Sequence, residues 1–461
     1  MLRKLHIIYY NTLKALIGFA LRMFYRRHQV GGYAENVANN QAIVFTGNHQ
    51  NALIDALNIV CTTNRYQQPT FMTRSDVFAP KVKPILTSFK MLPIYRQQDG
   101  VDTLQKNEEI FATCVRRLNR RESMIIFPEG NHNRQRRLRP LKKGASRIAF
   151  LAEEASGFTL GTLFIPVGLN YSQHLKFRGD LYVKYGKPVY IADFYEDYQT
   201  NPQRAMIRIT QAISDHMKDT ILHVSDRNWY EEIDFLRLIF EKSATNQLGL
   251  NPNDLGHLFD TGKKLISMLE SRINENDPEW PGVAETAKKY KQALGRFRWR
   301  DHVVARGPYS MAGLIAKAIG LLVLLPVYLY GLINNYLPYM IPDRLAKKLF
   351  RDDHFHSSIK AAVGMFLFPI FYLIQSGICW ALTDWRWALG YLVSLPLTGN
   401  FAYSYSVWVK KWYSQWKFSA LIREGNEEVT AMKKARKELE DYMNKGVPHF
   451  SENLIGKEDR S

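Results

Sequence analysis

The stretch AIVFTGNHQNALIDAL, residues 42–57, decides the fold of the first half of the chain. Its apolar beginning, residues 42–45, predicts a short buried strand, and residues 52–60 have the composition of a helix. His49 follows the strand, and Asp55 lies in the first turns of the helix. There the carboxylate can fix the tautomer of the imidazole and leave its other nitrogen to take a proton. The same pattern also fits an ordinary loop histidine beside a helix-start aspartate, so other segments must decide.

Composition and charge bound the class of protein. The 461 residues carry a net charge of +19, which favours anionic partners: nucleic acid, phosphate-bearing substrates or an acidic membrane surface. The three cysteines, Cys61, Cys114 and Cys379, are far apart and form no CxxC pair. This spacing indicates neither a disulfide framework nor a zinc site and suits a reducing, cytoplasmic face.

Residues 5–25 form an apolar segment interrupted by polar residues and flanked by MLRK and RRH. The interruptions and the missing cleavage site argue against a signal peptide. We expect a helix that lies in the membrane interface, with its basic flanks on anionic headgroups. A buried amphipathic helix of a soluble domain is the alternative.

Between residues 32 and 224, short apolar runs alternate with helical segments. Predicted strands are 42–46, 70–73, 124–127, 164–169 and 181–185, and predicted helices are 52–61, 102–119, 144–154 and 202–221. This alternation predicts an α/β domain with a largely buried sheet.

A second informative stretch, residues 124–150, reads MIIFPEGNHNRQRRLRPLKKGASRIAF. A buried strand ends before Glu129-Gly130, and a basic series follows. Glu129 can bond a hydroxyl or orient an arginine, and Arg134 and Lys143 can bind a phosphate. A solvated basic loop is the alternative. Nucleic acid is disfavoured, because the series lacks interleaved aromatic residues and a known binding module.

Two further short segments supply candidate features. PIYR, residues 93–96, ends a short strand with Arg96, another candidate phosphate ligand. IPVGL, residues 165–169, puts Pro166 and Gly168 into a strand, which indicates either an edge strand or a close backbone approach.

These motifs together resemble a known family. NHxxxxxD, PIYR, FPEG and IPVGLNY, followed by FRGDLYVKYGKPV, occur in the order of the four blocks of the glycerophosphate acyltransferase superfamily, which includes lysophosphatidate acyltransferases. The resemblance covers residues 32–224. It implies that His49 is the general base, Asp55 its orienting carboxylate and Arg96 the second-block arginine. It also implies substrate binding at Glu129 and Gly130 and assigns the fourth-block proline to Pro166.

Two departures from the family pattern concern the acceptor. Five residues separate His49 from Asp55 where four are usual, and Asn131-His132 replaces the usual Thr-Arg after FPEG. Both departures resemble the fungal branch that acylates glycerol-3-phosphate or dihydroxyacetone phosphate. The short catalytic domain instead favours lysophosphatidate, which we rank first.

Beyond residue 224 the resemblance ends. Residues 225–306 are polar and predicted to be helical, and the apolar runs 311–341, 361–382 and 385–408 follow. Basic flanks predict a hairpin of the last two runs with both ends cytoplasmic. The run around Pro326 is then predicted to be a re-entrant segment or a broken helical pair that returns to the same side. The charged helix at 427–443 is predicted to be solvated.

The sequence therefore predicts a membrane enzyme. We expect an N-terminal interfacial helix (1–30), an α/β acyltransferase domain with a mixed sheet flanked by helices (31–225), a helical accessory segment (226–306), a transmembrane helical region (307–412) and a charged cytoplasmic tail (413–461). The resemblance implies acyl transfer from acyl-CoA or acyl carrier protein to a glycerol-phosphate lipid acceptor at the cytoplasmic face of a phospholipid membrane. No metal, cofactor or nucleic acid is expected. A non-catalytic lipid-binding membrane protein is the alternative from another class.

Overall fold

The computed structural model describes residues 2–32, 40–64, 67–78, 80–81, 83–95, 103–132, 135–173, 176–349 and 356–445. The chain divides into two compact units. The first contains Met1–His223 and Leu345–Ala362, and the second contains Val224–Arg344 and Val363–Ser461.

A mixed sheet forms the centre of the first unit, which confirms the predicted α/β fold. Its strands are β1 (Arg27–Gly32), β2 (Ile43–Gly47), β3 (Thr70–Arg74), β4 (Met91–Ile94), β5 (Ser123–Ile126), β6 (Leu163–Tyr171), β7 (Asp180–Tyr185) and β8 (Val189–Tyr190). The order is β1-β7-β6-β2-β5-β3-β4, with β8 beside β6. Among the described strands, only the pairs of β6 with β7 and with β8 are antiparallel.

The helices of the first unit are α1 (Leu2–Phe24), α2 (Ala52–Thr62), α3 (Lys83–Ser88), α4 (Thr103–Asn119), α5 (Gly144–Ala155), α6 (Tyr195–Thr200) and α7 (Pro202–Thr220). Val44 of β2 packs in one core with Ile148 of α5 and Ile209 of α7. All five residues of β2 are buried, as in a strand that is covered on both faces.

Strand direction gathers the candidate residues at one edge of the sheet. β5 and β6 both run parallel to β2. The carboxyl ends of these three strands therefore meet, and the segments that follow β2 and β5 carry His49 and Glu129. Ligands of open α/β sheets bind at this edge.

The Pro-Gly pair of β6 resolves an alternative left open by the sequence. An edge position is wrong, because β6 pairs with β2 and β7 along its length. The close backbone approach is confirmed, since a Cβ on Gly168 would lie 1.8 Å from the carbonyl oxygen of Thr220. Glycine is therefore required where α7 ends against the sheet.

Helix α1 has one buried and one exposed apolar face. Tyr10 and Leu21 are buried, and Lys14 reaches the carboxyl end of α2, where it donates to the Thr63 carbonyl (3.0 Å). Ile8 and Phe19 are more than 60% exposed. The helix thus packs on the domain and also presents an apolar surface to its surroundings; a membrane-interface position remains a prediction.

The second unit is helical. Its helices, with the ends of α12 and α13 in the first unit, are α8 (Tyr230–Gln247), α9 (Leu255–Asn274), α10 (Trp280–Phe297), α11 (Asp301–Arg306), α12 (Met311–Leu349), α13 (His356–Leu382), α14 (Trp385–Arg423) and α15 (Glu427–Asn444). Within the described residues, Met311–Lys348 and Ile359–Leu382 are long and apolar enough to cross a membrane.

The predicted break at Pro326 is wrong, because α12 continues through Pro326, Pro338 and Pro342. A proline removes one backbone donor, and in apolar helices neighbouring groups can satisfy the released carbonyl. The run at 385–408 belongs to α14, a helix of 39 residues that extends to Arg423. This helix is not among those that meet the length and hydropathy of a span.

The solvated tail is also a prediction that the structure corrects. Val429, Met432 and Leu439 of α15 are buried, and α15 packs on α10. Arg436 bonds Asp301 at 2.7 Å. The charged composition concealed a stripe of buried residues three or four positions apart, which is the packing face of an amphipathic helix.

Candidate active site

The structure brings His49 and Asp55 together. His49 Nδ1 lies 2.8 Å from Asp55 Oδ2, and Asp55 is fully buried while the side chain of His49 is 17% exposed. The other ring nitrogen, Nε2, points away from the carboxylate. This is the arrangement of a base and its orienting carboxylate.

Asp55 is held by four hydrogen bonds. Besides His49, the backbone N–H groups of Gln50 and Asn51 donate to Oδ2 at 2.8 and 2.7 Å, and the Tyr171 hydroxyl donates to Oδ1 at 2.7 Å. Burial, with the adjacent negative charge of Asp55, raises the pKa of Tyr171 well above its ordinary value, so the phenol stays a donor. These donors fix the carboxylate and stabilise its charge.

The extra residue between His49 and Asp55 is accommodated before α2 begins its regular turns. Ala52, the first residue of α2, has a positive φ of 45°, which L-residues with a Cβ rarely adopt. Asn51, the N-cap, has φ −141° and ψ 44°. This local turn absorbs one residue and still places the Asp55 carboxylate on the imidazole.

Asn48 joins two strands beside the base. Its Oδ1 accepts from the Leu169 N–H at 2.7 Å, and its Nδ2 donates to the Leu169 carbonyl at 3.2 Å. The loop after β2 is thereby tied to the end of β6. Sequence reasoning missed this role, because it depends on the pairing of β2 with β6.

Glu129 ties the two loops that carry the motifs. Its Oε1 accepts from the His49 N–H at 3.0 Å, and Oε2 accepts from the Arg139 N–H at 3.2 Å. Burial raises the pKa of Glu129, and these two hydrogen bonds oppose that rise. Gly130 has φ +75°, and a Cβ there would lie 2.8 Å from the Lys142 side chain. Only glycine fits this turn without strain.

Two rings enclose the imidazole of His49. Phe127 stacks on it, with centroids 4.2 Å apart and planes 12° apart, and the His132 ring centroid lies 4.0 Å away. His132 is one of the residues that depart from the family pattern. Both rings restrict the rotation of His49 and leave Nε2 in a defined direction.

The predicted phosphate ligands are only partly placed. Arg96 and Arg134 lie outside the described residues, and Lys143 is exposed immediately before α5. A small recess beside the site is lined by Arg136 and Arg137. Both belong to the basic series that follows Glu129-Gly130, but neither was predicted to bind phosphate. The recess also contains Asn48, Gln50 and Glu129.

Arg136 and Tyr171 were not predicted as site residues, and the reason is the same for both: their contacts depend on the assembled sheet. Arg136 donates to the Tyr171 carbonyl at 2.7 Å, and the Tyr171 hydroxyl contacts Asp55. Tyr171 ends IPVGLNY, so its motif was recognised, but its orientation follows from the sheet.

Over the described ranges, no three His, Cys, Asp or Glu side chains are arranged to hold a metal ion.

Comparison with known proteins supports the family resemblance. Residues 30–170 match the model of the family described as Acyltransferase. An uncharacterized acyltransferase of Schizosaccharomyces pombe is 26% identical over 215 residues, 46% of this chain and 30% of that protein. The chain thus matches less than a third of this relative's length. The PlsC 1-acyl-sn-glycerophosphate acyltransferase of Thermotoga maritima aligns at 16% identity over 44% of this chain and 78% of its own, with a TM-score of 0.31.

The predicted family resemblance is confirmed for residues 30–170, which carry the candidate site and match the Acyltransferase family.

Proposed function

We propose that the chain is an O-acyltransferase that moves a fatty acyl group from acyl-CoA or acyl carrier protein to the hydroxyl of 1-acylglycerol-3-phosphate, forming phosphatidate. The His49–Asp55 pair carries this proposal, because it supplies an oriented base with one nitrogen directed away from its carboxylate. A thioester is already activated, and a positioned base contributes about 10²–10⁴-fold to such a reaction.

In the first step the acceptor hydroxyl attacks the thioester carbonyl carbon while His49 Nε2 takes its proton. A carbon–oxygen bond forms, and the carbonyl electrons move onto oxygen. Asp55 stabilises the imidazolium through Nδ1. Four hydrogen bonds hold its carboxylate, so little reorganisation accompanies the proton transfer.

In the second step the carbonyl re-forms and the carbon–sulfur bond breaks. The imidazolium returns its proton to the leaving thiolate, which restores His49 and releases the free thiol. No Ser or Cys is required as a covalent carrier, because the acceptor itself is the nucleophile. Glu129 supports this chemistry by holding the His49 backbone, and at the recess it is also proposed to position the acceptor.

The acceptor phosphate requires cations near His49. Arg136 and Arg137 lie at the recess beside the site, and Lys143 lies at the start of α5. Arg96 and Arg134 remain candidates from the sequence. We propose that these residues bind the phosphate, that the two apolar helices hold the enzyme in a phospholipid membrane, and that the domain faces the cytoplasm.

The test is acyl transfer by the full chain purified in detergent. Labelled acyl-CoA and acyl carrier protein would be offered with 1-acylglycerol-3-phosphate or with glycerol-3-phosphate, to wild type, His49→Ala and His216→Ala. His216, whose ring meets the Lys187 carbonyl on the surface, is the matched control. We expect phosphatidate from wild type and His216→Ala and a loss of at least a hundredfold in His49→Ala.

The acceptors separate the possible activities. Product from glycerol-3-phosphate alone would replace the proposed acceptor but keep the chemistry. Product from His49→Ala at the wild-type rate would overturn the role of the dyad. Specific lipid binding without turnover by any donor would instead support the non-catalytic alternative.

A further inference from the structure

Five cations gather on the second unit where its apolar helices begin. Lys242 lies on α8, Lys317 on α12 and Lys411 on α14, while Arg300 precedes α11 and Arg306 is its last residue. All five are exposed, and among the described residues none forms an ion pair with a carboxylate. We call this set the basic cluster.

Contacts and charge effects show that these residues converge. Lys317 Nζ donates to Gln415 Oε1 at 3.0 Å, and Gln415 lies one turn beyond Lys411 on α14. Partial burial of the Lys411 amine lowers its pKa, and the positive charges of the other four cluster members lower it further. Like charges that repel one another in this way are stabilised by an anion between them.

His302 lies against the cluster but adds no charge to it. Burial and the neighbouring Lys411 and Arg300 lower its pKa to about 4, so the imidazole is neutral at pH 7. The cluster therefore contributes five positive charges, since the nearby acids Asp301 and Glu241 pair with Arg436 and Arg237, which lie outside the cluster. Surface cations are ordinarily interspersed with carboxylates, and this segregation favours an anionic partner.

Exposed aromatic residues surround the cluster, as is typical of a membrane interface. Trp408, Tyr413 and Trp416 are each more than 40% exposed on the same stretch of α14. Trp412 Nε1 donates to the Leu314 carbonyl at 2.9 Å, which joins α14 to the first turn of α12. Aromatic rings at the end of apolar helices mark the headgroup level of a bilayer.

We propose that the basic cluster binds the phosphate group of an anionic membrane phospholipid. The acyl chains of this lipid lie along the exposed apolar residues of α12, such as Ile315 and Ile319. Inorganic phosphate offers the same charge without these chains and should bind more weakly. Arginine pairs bidentately with phosphate oxygens, whereas lysine acts as a point charge, so Arg300 and Arg306 set the orientation.

The experiment uses the full chain in neutral detergent and follows its thermal midpoint as lipid is added. The lipids are phosphatidylglycerol and phosphatidylcholine with identical chains, and inorganic phosphate is added separately. The cluster variant is Arg306→Gln, Lys317→Gln and Lys411→Gln. The control variant is Lys288→Gln, Lys433→Gln and Lys437→Gln, which removes three exposed charges elsewhere on the unit.

We expect phosphatidylglycerol to raise the midpoint of wild type and control, and phosphatidylcholine to raise neither comparably. The cluster variant should bind phosphatidylglycerol about a hundredfold more weakly, which corresponds to three lost charges. An unchanged lipid response in the cluster variant would overturn the site. Equal responses to inorganic phosphate and to phosphatidylglycerol would overturn the lipid assignment. If the cluster variant does not fold, Lys317→Gln alone replaces it, and an undiminished affinity in this variant would overturn the proposal.

Discussion

Two buried polar side chains, Asp55 and Asn335, each join three elements of their own unit. Asp55 links the loop after β2, helix α2 and strand β6. Asn335 of α12 donates to the Leu395 carbonyl of α14 at 3.2 Å and accepts from the Tyr372 hydroxyl of α13 at 2.6 Å. Both satisfy the rule that a buried polar group must be hydrogen-bonded.

The two networks differ in where they end. The bonds of Asp55 lead to the imidazole of His49, a partly exposed side chain that can take up or release a proton. The bonds of Asn335 close on neighbouring helices, and a neutral amide exchanges no charge. Both side chains have their hydrogen bonds satisfied. In Asp55 these bonds suit the proposed proton transfer, and in Asn335 they suit association of the helices.

The adjacent Asn334 shows how the helices tolerate proline. Pro338 lacks the N–H that would bond the Asn334 carbonyl four residues earlier. Gln375 of α13 supplies the missing donor, with its Nε2 3.0 Å from that carbonyl oxygen. At Pro338 the released carbonyl is thus satisfied by a side chain of another helix, which the local sequence of α12 does not contain.

Among these substitutions, Asp55→Asn should reduce acyl transfer the most. An amide cannot stabilise the imidazolium, and its N–H group opposes the donors that meet the carboxylate, so acyl transfer should fall about 10²–10⁴-fold. Steady-state turnover, with Asp193→Asn at an exposed position as control, provides the measurement. Turnover within threefold of wild type would remove Asp55 from the mechanism.

Tyr171→Phe should have a smaller effect on the same network. Asp55 loses one of four donors but keeps His49 and two backbone N–H groups, so we expect about a tenfold loss in turnover. Tyr25→Phe is the matched control, because the Tyr25 hydroxyl meets Asn58 rather than the carboxylate. Equal losses in the two variants would show that Tyr171 acts only through packing.

Asn335→Leu tests the helical network. The Tyr372 hydroxyl loses its acceptor and α14 loses a hydrogen bond, which should cost about 1–2 kcal/mol of stability. The thermal midpoint should fall while acyl transfer per folded molecule stays unchanged. A double-mutant cycle with Tyr372→Phe isolates the shared bond, and additive effects would contradict the pairing.

The pH dependence of stability tests how Lys14 anchors α1 to the end of α2. Burial lowers the pKa of Lys14 to about 8, below its ordinary value of 10.5. Between these values the unfolded chain binds more protons, so stability from this group rises with pH, by at most about 1.4 kcal/mol per pH unit. Thermal midpoints from pH 8 to 9.5 should rise more steeply in wild type than in Lys14→Met. Parallel slopes would place the Lys14 amine in water.

The sequence predicted much of the fold because its signals are local. Buried strands such as β2 and β5 are short apolar runs, and their predicted bounds lie within one residue of those observed. β1 was missed, because RHQVGG has no apolar pattern and pairs with β7 about 150 residues away. Strand pairing of this kind is settled by the assembled sheet.

The residues of the candidate site were likewise predicted only where they lie in a local motif. His49, Asp55 and Glu129 were found because each lies in a contiguous motif. Asn48 and Tyr171 gain their roles only when β6 lies beside β2, which joins residues more than 100 positions apart. Sequence spacing therefore predicted that His49 and Asp55 form a pair, while the supporting contacts required the fold.

Ala52→Gly should give the smallest effect and tests how the additional loop residue is stored. Relief of the positive φ of 45° opposes the greater freedom of glycine in the unfolded chain, so we expect a gain of about 0.5–1 kcal/mol. Ala431→Gly, at an exposed position inside α15, should instead cost about 1 kcal/mol. Thermal midpoints of the two variants measure the contrast. Acyl transfer should persist in Ala52→Gly, since the His49–Asp55 bond depends on the helix that follows. A loss of stability comparable to that of Ala431→Gly would show that Ala52 is unstrained.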